Sequence, residues 1–390
     1  MCNLFLWPWP GYTVSVMVVR VVAIILVMGL LCAYMSFRSM ALSPLLARHP
    51  WHTWGVFALL LLTTFLIPIL TRFSGKHVAP FAWVGFMLFG LITTYLVYLP
   101  VADLSQFLLR RFWDASASAG VWALRVAIAA SVVSVIIGCV QALSPPKVRR
   151  VEVPIVGLHK EFEEFSIVQL SDLHINSTTS MASLEWLVDK VNELNPSLIA
   201  ITGDFLDGPV KDLRPKVAVF EKLDPKHGIY FVTGNHEYYS GDLDNWLEVF
   251  SEMNWCVLTN SNVFIQRNEA KLAVLGIPDS TGAQWGYAGP DLAKAMEDIP
   301  KGTPKLLLHH RPAFFKEAEK AGIALLLAGH THGGQYFPWT VIIPLFHHLQ
   351  PGLKRYRQLW VYTNVGVGYW GPPNRFLNPK ELTLLVLKKI

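Results

Sequence analysis

Five short polar motifs follow one another along the C-terminal two-thirds of the chain, each closing an apolar run. They are SDLH (Ser171–His174), GDFLD (Gly203–Asp207), GNHE (Gly234–Glu237), the pair His309–His310, and GHTH (Gly329–His332). Together they gather Asp, Asn and His side chains and no Cys. Oxygen and imidazole donors without thiolates suit hard-to-borderline divalent cations rather than a structural zinc knot. A pair of such cations is the standard apparatus for hydrolysing a phosphate ester.

Each motif taken singly has a bland alternative. A histidine on an apolar strand is commonly a hydrogen-bonded core residue. Two histidines in a loop can simply be solvated. Five motifs in one order, with complementary donor types, argue for one site. The elements that would position them are legible. Phe165–Leu170, Leu198–Thr202, Gly228–Thr233, Lys305–Leu308 and Ile323–Ala328 read as short strands, each running into a motif. Helical patterns cover Ser180–Leu194 and Leu243–Met253. Strands alternating with helices indicate an α/β domain, and open α/β sheets bind ligands beyond the carboxyl ends of their strands. Gly203, Gly234 and Gly329 stand at or just before the first candidate ligand of their motifs, where a residue tolerant of unusual backbone angles lets a strand turn sharply.

The remaining third of the chain has another character. Residues 1–145 hold eight of the 33 Lys/Arg and two of the 28 Asp/Glu, so the net charge of +5 belongs to this part. Four apolar stretches are long enough to cross a bilayer as helices: Val14–Met35, Trp54–Thr71, Pro80–Leu99 and Val121–Leu143. Val101–Trp113 reads as a separate interfacial or loop helix. Arg20 and Arg125, near span ends, read as side chains snorkelling to the headgroups. No cleavable leader pattern opens the chain. Ser144-Pro145-Pro146 ends the last stretch and marks a boundary between a multi-pass region, 1–146, and a catalytic domain, 147–390. The basic residues divide six against five between the two membrane faces, with only KVRR (Lys147–Arg150) leaning toward a cytoplasmic catalytic domain. No basic stripe with interleaved aromatics indicates nucleic-acid binding. Cys256 is alone in the polar part, which therefore forms no internal disulfide.

SDLH, GDFLD, GNHE, LHHRP and GHTHGGQ resemble the calcineurin-like metallophosphoesterases, across nearly all of Arg149–Ile390. GNHEYYSG, GHTHGGQ before an apolar stretch, and YWGPPNR before a final strand KELTLLVL are similar to the YkuE/YaeI-like branch and its membrane-spanning relatives. The resemblance implies a four-layer α/β/β/α sandwich behind a four-helix transmembrane region. It also implies two divalent metal ions, with Mn, Fe, Zn, Ni and Mg all open. Asp172, His174 and His332 would hold one ion and Asn235, His310 and His330 the other, with Asp204 bridging them. A hydroxide between the ions would attack a phosphate mono- or diester, and His236 would touch a phosphate oxygen or protonate the leaving group. His309, on the opposite strand face from His310, is expected to be structural. Asp207 is expected to turn the chain or hydrogen-bond a ligand, and Glu237 to hydrogen-bond a neighbouring histidine. Arg375 is a candidate phosphate contact or a structural ion-pair partner.

YFPWTVIIPLFHHLQPGLKRY, after GHTHGGQ, reads as an apolar loop that either packs on the domain or rests on the bilayer beside the site. The expected partners are thus a phosphoester substrate, lipid- or envelope-linked in the second case, and a lipid bilayer. The rival functions are a catalytically silent membrane scaffold or regulatory binding module on the same fold, and a transporter carrying a phosphatase. All the expected ligands being present counts against the first. The absence of charge at mid-span counts against the second.

Overall fold

The structure, a computed structural model, describes residues 14–74, 79–113, 118–346 and 350–390. It divides into two compact units: residues 1–140 with Gly371–Phe376, and 141–370 with Leu377–Ile390.

The first unit is helical: α1 (Val14–Leu42), the short α2 (Pro44–Arg48), α3 (Pro50–Ser74), α4 (Ala79–Trp113) and α5 (Ser118–Leu143). The four apolar stretches fall on α1, α3, α4 and α5. Windows in α1, α4 and α5 are long and apolar enough to cross a membrane: Ile25–Leu42, Trp83–Trp113 and Ser118–Leu143. The second expected span, Trp54–Thr71, lies on α3, but its side chains beyond Thr64 fall outside the described residues, as does that of Arg20. Val101–Trp113 is not a separate helix. α4 runs 35 residues through Pro100, about 52 Å at 1.5 Å per residue. Proline removes one backbone bond, and in an apolar setting the other backbone groups have no better partners than the helix itself. The continuation brings Asp103 to α1, where Arg38 Nε donates to Asp103 Oδ2 at 2.7 Å.

Gly371–Phe376 packs within this unit. Asn374 is fully buried, and a Cβ on Gly138 of α5 would lie 1.7 Å from its Oδ1. The Arg375 N–H donates to the Gly138 carbonyl at 2.9 Å.

The second unit holds two six-stranded sheets. In chain order its elements are β1 (Lys147–Ile155), β2 (Ser166–Leu170), α6 (Met181–Glu193), β3 (Leu198–Ile201), α7 (Val210–Val217), β4 (Ile229–Phe231), α8 (Asn235–Tyr239), α9 (Leu243–Glu252) and β5 (Cys256–Val257). Then come β6 (Ser261–Arg267), β7 (Ala270–Gly276), α10 (Thr281–Gln284), α11 (Leu292–Ala295), β8 (Lys305–Leu308), α12 (Phe315–Lys320) and β9 (Leu325–Ala328). The last are α13 (Trp339–Phe346), β10 (Gly352–Tyr356), β11 (Leu359–Thr363) and β12 (Glu381–Lys389). The first sheet has the order β1-β12-β2-β3-β4-β5 and the second β10-β11-β9-β8-β7-β6. β2 to β5 are parallel, as are β7, β8, β9 and β11. β12 runs antiparallel to β2, β6 to β7 and β10 to β11. Both sheets are thus mixed.

Strands buried on both faces need near-continuous apolar residues; LIAI and LLLA supply them throughout, and KLLL does so after the half-buried Lys305. One face of the first sheet packs with α6 and α9 through Leu187, Val191, Trp246 and Phe250. Val168, Ile199 and Ile201 point to that face, while Ile167, Leu198 and Ala200 point to the core shared with the second sheet, against Val274, Leu306 and Leu325. The outer face of the second sheet meets α12 through Phe315 and Ala318.

The Gly371–Phe376 segment depends on space at Gly138. Gly138→Ala should therefore destabilise the full chain by about 1–3 kcal/mol through overpacking, read as a lower melting temperature. Gly55→Ala, with nothing within 4 Å of the added carbon, is the control. Equal melting of the two variants in one detergent would contradict the packing described.

Candidate metal centre

All five motifs lie beyond the carboxyl ends of parallel strands: SDLH after β2, GDFLD after β3, GNHE after β4, His309–His310 after β8 and GHTH after β9. The first three come from one sheet and the last two from the other. The loops are laced together by backbone bonds. The Asp172 N–H donates to the Gly203 carbonyl, His174 to Asp204, Ile175 to Phe205 and Asp207 to Ile175, at 2.8–3.1 Å. Phe205, next to Asp204, is fully buried with its ring against Phe220, Phe250 and Trp255, at centroid separations of 5.0–6.0 Å. The alternation of apolar and polar residues in GDFLD therefore anchors one side chain and presents the next.

The glycines act partly as expected. Gly203 has φ +85, but Gly234 has φ −94; it is required by close approach, since a Cβ there would lie 2.2 Å from Asp204 Oδ1. The unusual backbone angles fall instead on the candidate ligands themselves. Asp172, His174, Asp204, His330 and His332 all have φ between 49 and 66, a region costing roughly 1–3 kcal/mol for such residues and concentrated at functional sites.

Two donor groups bring the sheets together. Asp172, His174 and His332 form one, and Asp204, His310 and His330 the other, with the donor atoms of each within 4.8 Å of one another. His174, Asp207 and His236 converge as closely, but there Asp207 is engaged by a ring nitrogen of each histidine. Asp204 Oδ2 lies 3.7 Å from His174 Nε2 and 3.2 Å from His310 Nε2, reaching toward both principal groups. Asn235 is buried, and its Oδ1 accepts from Arg311 Nη2 at 3.4 Å.

The ring nitrogens test whether a cation fits. His310 Nδ1 faces the Thr202 carbonyl at 2.8 Å, a partner that only accepts. In the neutral ring Nε2 is therefore a bare lone pair, aimed at Asp204 Oδ2 and at His330 Nδ1, 3.1 Å away. His174 repeats the arrangement. Its Nδ1 faces Asp207 Oδ1 at 3.0 Å and its Nε2 faces His332 Nε2 at 3.1 Å. Lone pairs and carboxylate oxygens this close repel unless a proton or a cation lies among them. Without a cation a proton takes that place. Burial lowers His310, but the Asp204 carboxylate outweighs it and pushes the pKa up to about 10. Burial raises Asp204 in turn, and His310 and His236 hold it well below the usual carboxylate range. Burial leaves Asp172 raised. Two acids and four histidines converging in this way fit divalent cations.

His236 stands beside both groups. Its backbone N–H donates to Asp204 Oδ1 at 2.8 Å. Its Nδ1 faces Asp207 Oδ1 at 2.7 Å, so Asp207 orients both His174 and His236. Burial lowers the His236 pKa, and Asp204 and Asp207 overcome it, giving about 9. His309, just past the end of β8, has its Nδ1 against the Ile277 carbonyl and its ring on Phe314. Burial drops its pKa to about 4.

Glu237 does not pair with a histidine. Its carboxylate accepts the backbone N–H groups of Asp204, Phe205 and Gly234, at 2.6–3.0 Å. Strand-end loops leave such N–H groups without ladder partners, and a buried carboxylate satisfies three at once. Burial and the Asp204 charge push Glu237 up to about 7.

Arg375 is fully buried and belongs to the segment that packs with the helices. An arginine whose guanidinium reaches the donor groups is Arg311, to which sequence reasoning gave no role. Its Nε donates to Asp279 Oδ2 at 2.6 Å, its Nη1 lies 3.1 Å from His330 Nε2, and its side chain keeps 29% exposure. Asp279 is fully buried; burial raises it, and His310 and Arg311 bring it down to about 2. The Arg next to the histidine in LHHRP was a visible signal. Asp279, in the unremarkable IPDS, gave none.

The profile of the calcineurin-like phosphoesterase family matches residues 165–334. The chain is 36% identical over 272 residues to the zebrafish (Danio rerio) protein named transmembrane protein with metallophosphoesterase domain, covering 68% of this chain and 62% of that one. The Bos taurus protein of the same name is 37% identical over 279 residues, covering 68% and 63%. The chain thus spans less than two-thirds of the length of these two relatives. An uncharacterized metallophosphoesterase of Aquifex aeolicus is 30% identical over 228 residues, which are 58% of this chain and 85% of that protein. With its donor groups at the ends of strands from both sheets, the chain belongs to the calcineurin-like metallophosphoesterase family.

Proposed function

We propose that this protein is a membrane-anchored hydrolase that cleaves a phosphate mono- or diester at a centre of two divalent metal ions. The observation that carries the reading is the set of bare imidazole nitrogens aimed at buried carboxylates around Asp204. In this reading Asp172, His174 and His332 would hold one ion and Asn235, His310 and His330 the other, with Asp204, which reaches toward both groups, shared between them. The ions, when bound, supply Lewis acidity and lower the pKa of a water. The three apolar helices support anchoring in a bilayer.

The chain's own groups do the rest. Asp207 holds His236 through Nδ1, so the transferable proton sits on Nε2. Placed beside both donor groups and oriented by Asp207, His236 would pass the Nε2 proton to the leaving oxygen. Tyr239 and Trp370 flank its ring, at 5.3 and 5.9 Å between centroids. The phosphate contact expected of Arg375 is assigned here to Arg311, a planar donor matched to phosphate oxygens and held in place by Asp279.

Asp204→Asn should cut hydrolysis of bis(4-nitrophenyl) phosphate with Mn²⁺ by about a hundredfold or more, beyond what loss of an outer partner costs. Undiminished turnover would place the centre elsewhere. His236→Gln should lower kcat by about a hundredfold to ten-thousandfold while leaving bound metal, measured by atomic emission, unchanged. Arg311→Ala should instead raise KM by about tenfold, the worth of one charge-assisted contact. A fall in kcat alone would remove Arg311 from the substrate.

The metal should also bind with a definite pH dependence. The His310 pKa is raised above its ordinary value, so the proton is held below about 10 and must leave when a cation takes Nε2. Apparent Mn²⁺ affinity should therefore climb as pH rises from neutral toward that value, by up to about tenfold per pH unit for each proton displaced. Calorimetric titration across that range measures it, and a flat profile would contradict the proton-for-metal exchange.

A further inference from the structure

The apolar stretch after GHTHGGQ is not a loop. Trp339–Phe346, WTVIIPLF, forms the helix α13. The amphipathic helices of this unit bury a face: α6 buries Leu184, Leu187, Val188 and Val191, and α9 buries Leu243, Trp246, Val249 and Phe250. Among the described side chains of α13 there is no such face. None of Trp339–Leu345 is buried, and Val341 and Leu345 are 57% and 77% exposed. A helix with apolar residues on every side belongs in an apolar surrounding, and exposed apolar area of this kind marks a contact surface.

Two further observations say what covers it. No Asp or Glu occurs between Glu319 and Glu381, whereas the exposed Lys354 and Arg355 follow the helix in sequence, and Arg357 pairs with Glu319 at 3.6 Å. An exposed apolar helix that opens with a Trp, in a stretch of chain without acids, matches the lipid–water interface of a membrane. The same chain carries helices able to cross such a membrane. The helix is also tied to the metal centre. A Cβ on Gly334, two residues after His332, would lie 2.3 Å from the Trp339 carbonyl oxygen, so the first turn of α13 is packed on the turn that carries that histidine.

We infer that α13 docks on the surface of the bilayer with Val341 and Leu345 among the acyl chains, and that it brings the metal centre to phosphoesters carried on lipid. The docking stands on the helix alone; the choice of substrate rests on the function proposed above.

The test uses the full chain in phosphatidylcholine vesicles containing phosphatidylglycerol, with a spin label at Leu345→Cys in a background lacking the native cysteines. The label should be quenched by molecular oxygen and protected from an aqueous nickel chelate. Access to the chelate would overturn the docking, and so would shielding from both reagents, as at a contact with a second copy of the chain. In the same vesicles, Val341→Glu/Leu345→Glu should lower turnover of a long-chain phosphodiester by about tenfold or more, with turnover of bis(4-nitrophenyl) phosphate within about twofold. Equal loss on both esters, or loss on neither, would overturn the substrate inference. If the unmodified protein hydrolyses neither, the proposed activity fails, and the label still decides the docking.

Discussion

The constraint on which the rest of the α/β unit depends is the burial of the Asp204 carboxylate. It is 2% exposed, among imidazole nitrogens that would otherwise meet it as bare lone pairs. A buried carboxylate is tolerated only when paired and hydrogen-bonded. The backbone N–H of His236 provides one bond, and histidines from three different strand ends provide the positive partners. Every loop of the site must therefore end at a position measured from this one side chain. That is why Gly234, whose Cβ would collide with Asp204, can be no other residue.

Holding that arrangement has a cost in backbone energy. Five candidate ligands stand in the left-handed region, at about 1–3 kcal/mol each. Such angles persist only when their surroundings over-determine them, and here the agents are identifiable. Glu237 binds three backbone N–H groups of two separate loops. Phe205 is fixed in an aromatic cluster. Asn378 donates to the His332 carbonyl at 2.7 Å, and Gln335 exchanges two hydrogen bonds with the Trp370 backbone. Buried hydrogen bonds and aromatic packing thus stand beside residues held at left-handed angles.

This division explains what could be read in the sequence. Strand ends and candidate ligands were legible because each combines an apolar run with a short polar motif, both local patterns. Residues acting through three-dimensional neighbours were not. Glu237 looked like a histidine partner because its neighbour in sequence is a histidine, whereas two of its three partners are N–H groups more than 30 residues away. Asp279 is nothing but a loop acid until Arg311 is placed against it. Arg375 could be read from its motif as a phosphate contact or a structural ion-pair partner, and nothing local in the sequence announced that its segment groups with the helices. Val101–Trp113 read as a separate helix because its composition turns mixed, yet α4 runs on through it. β1, β6, β7, β10 and β11 also lacked a polar motif to announce them.

The two sheets give the centre its last requirement. Asp172, Asp204 and Asn235 stand on one sheet, whereas His310, His330 and His332 stand on the other. The group around Asp172 and the group around Asp204 each draw donors from both sheets, so neither sheet alone completes the pair. The distance between them is set by the shared core, where Leu198, Ala200 and Val232 meet Val274, Leu306 and Leu308. Packed interiors transmit displacement rather than absorb it. A change of side-chain volume in that core would shift His310 and His330 against Asp204 without touching any of them. The apolar residues between the sheets are in this sense part of the candidate site, and they set how closely its two donor groups can approach.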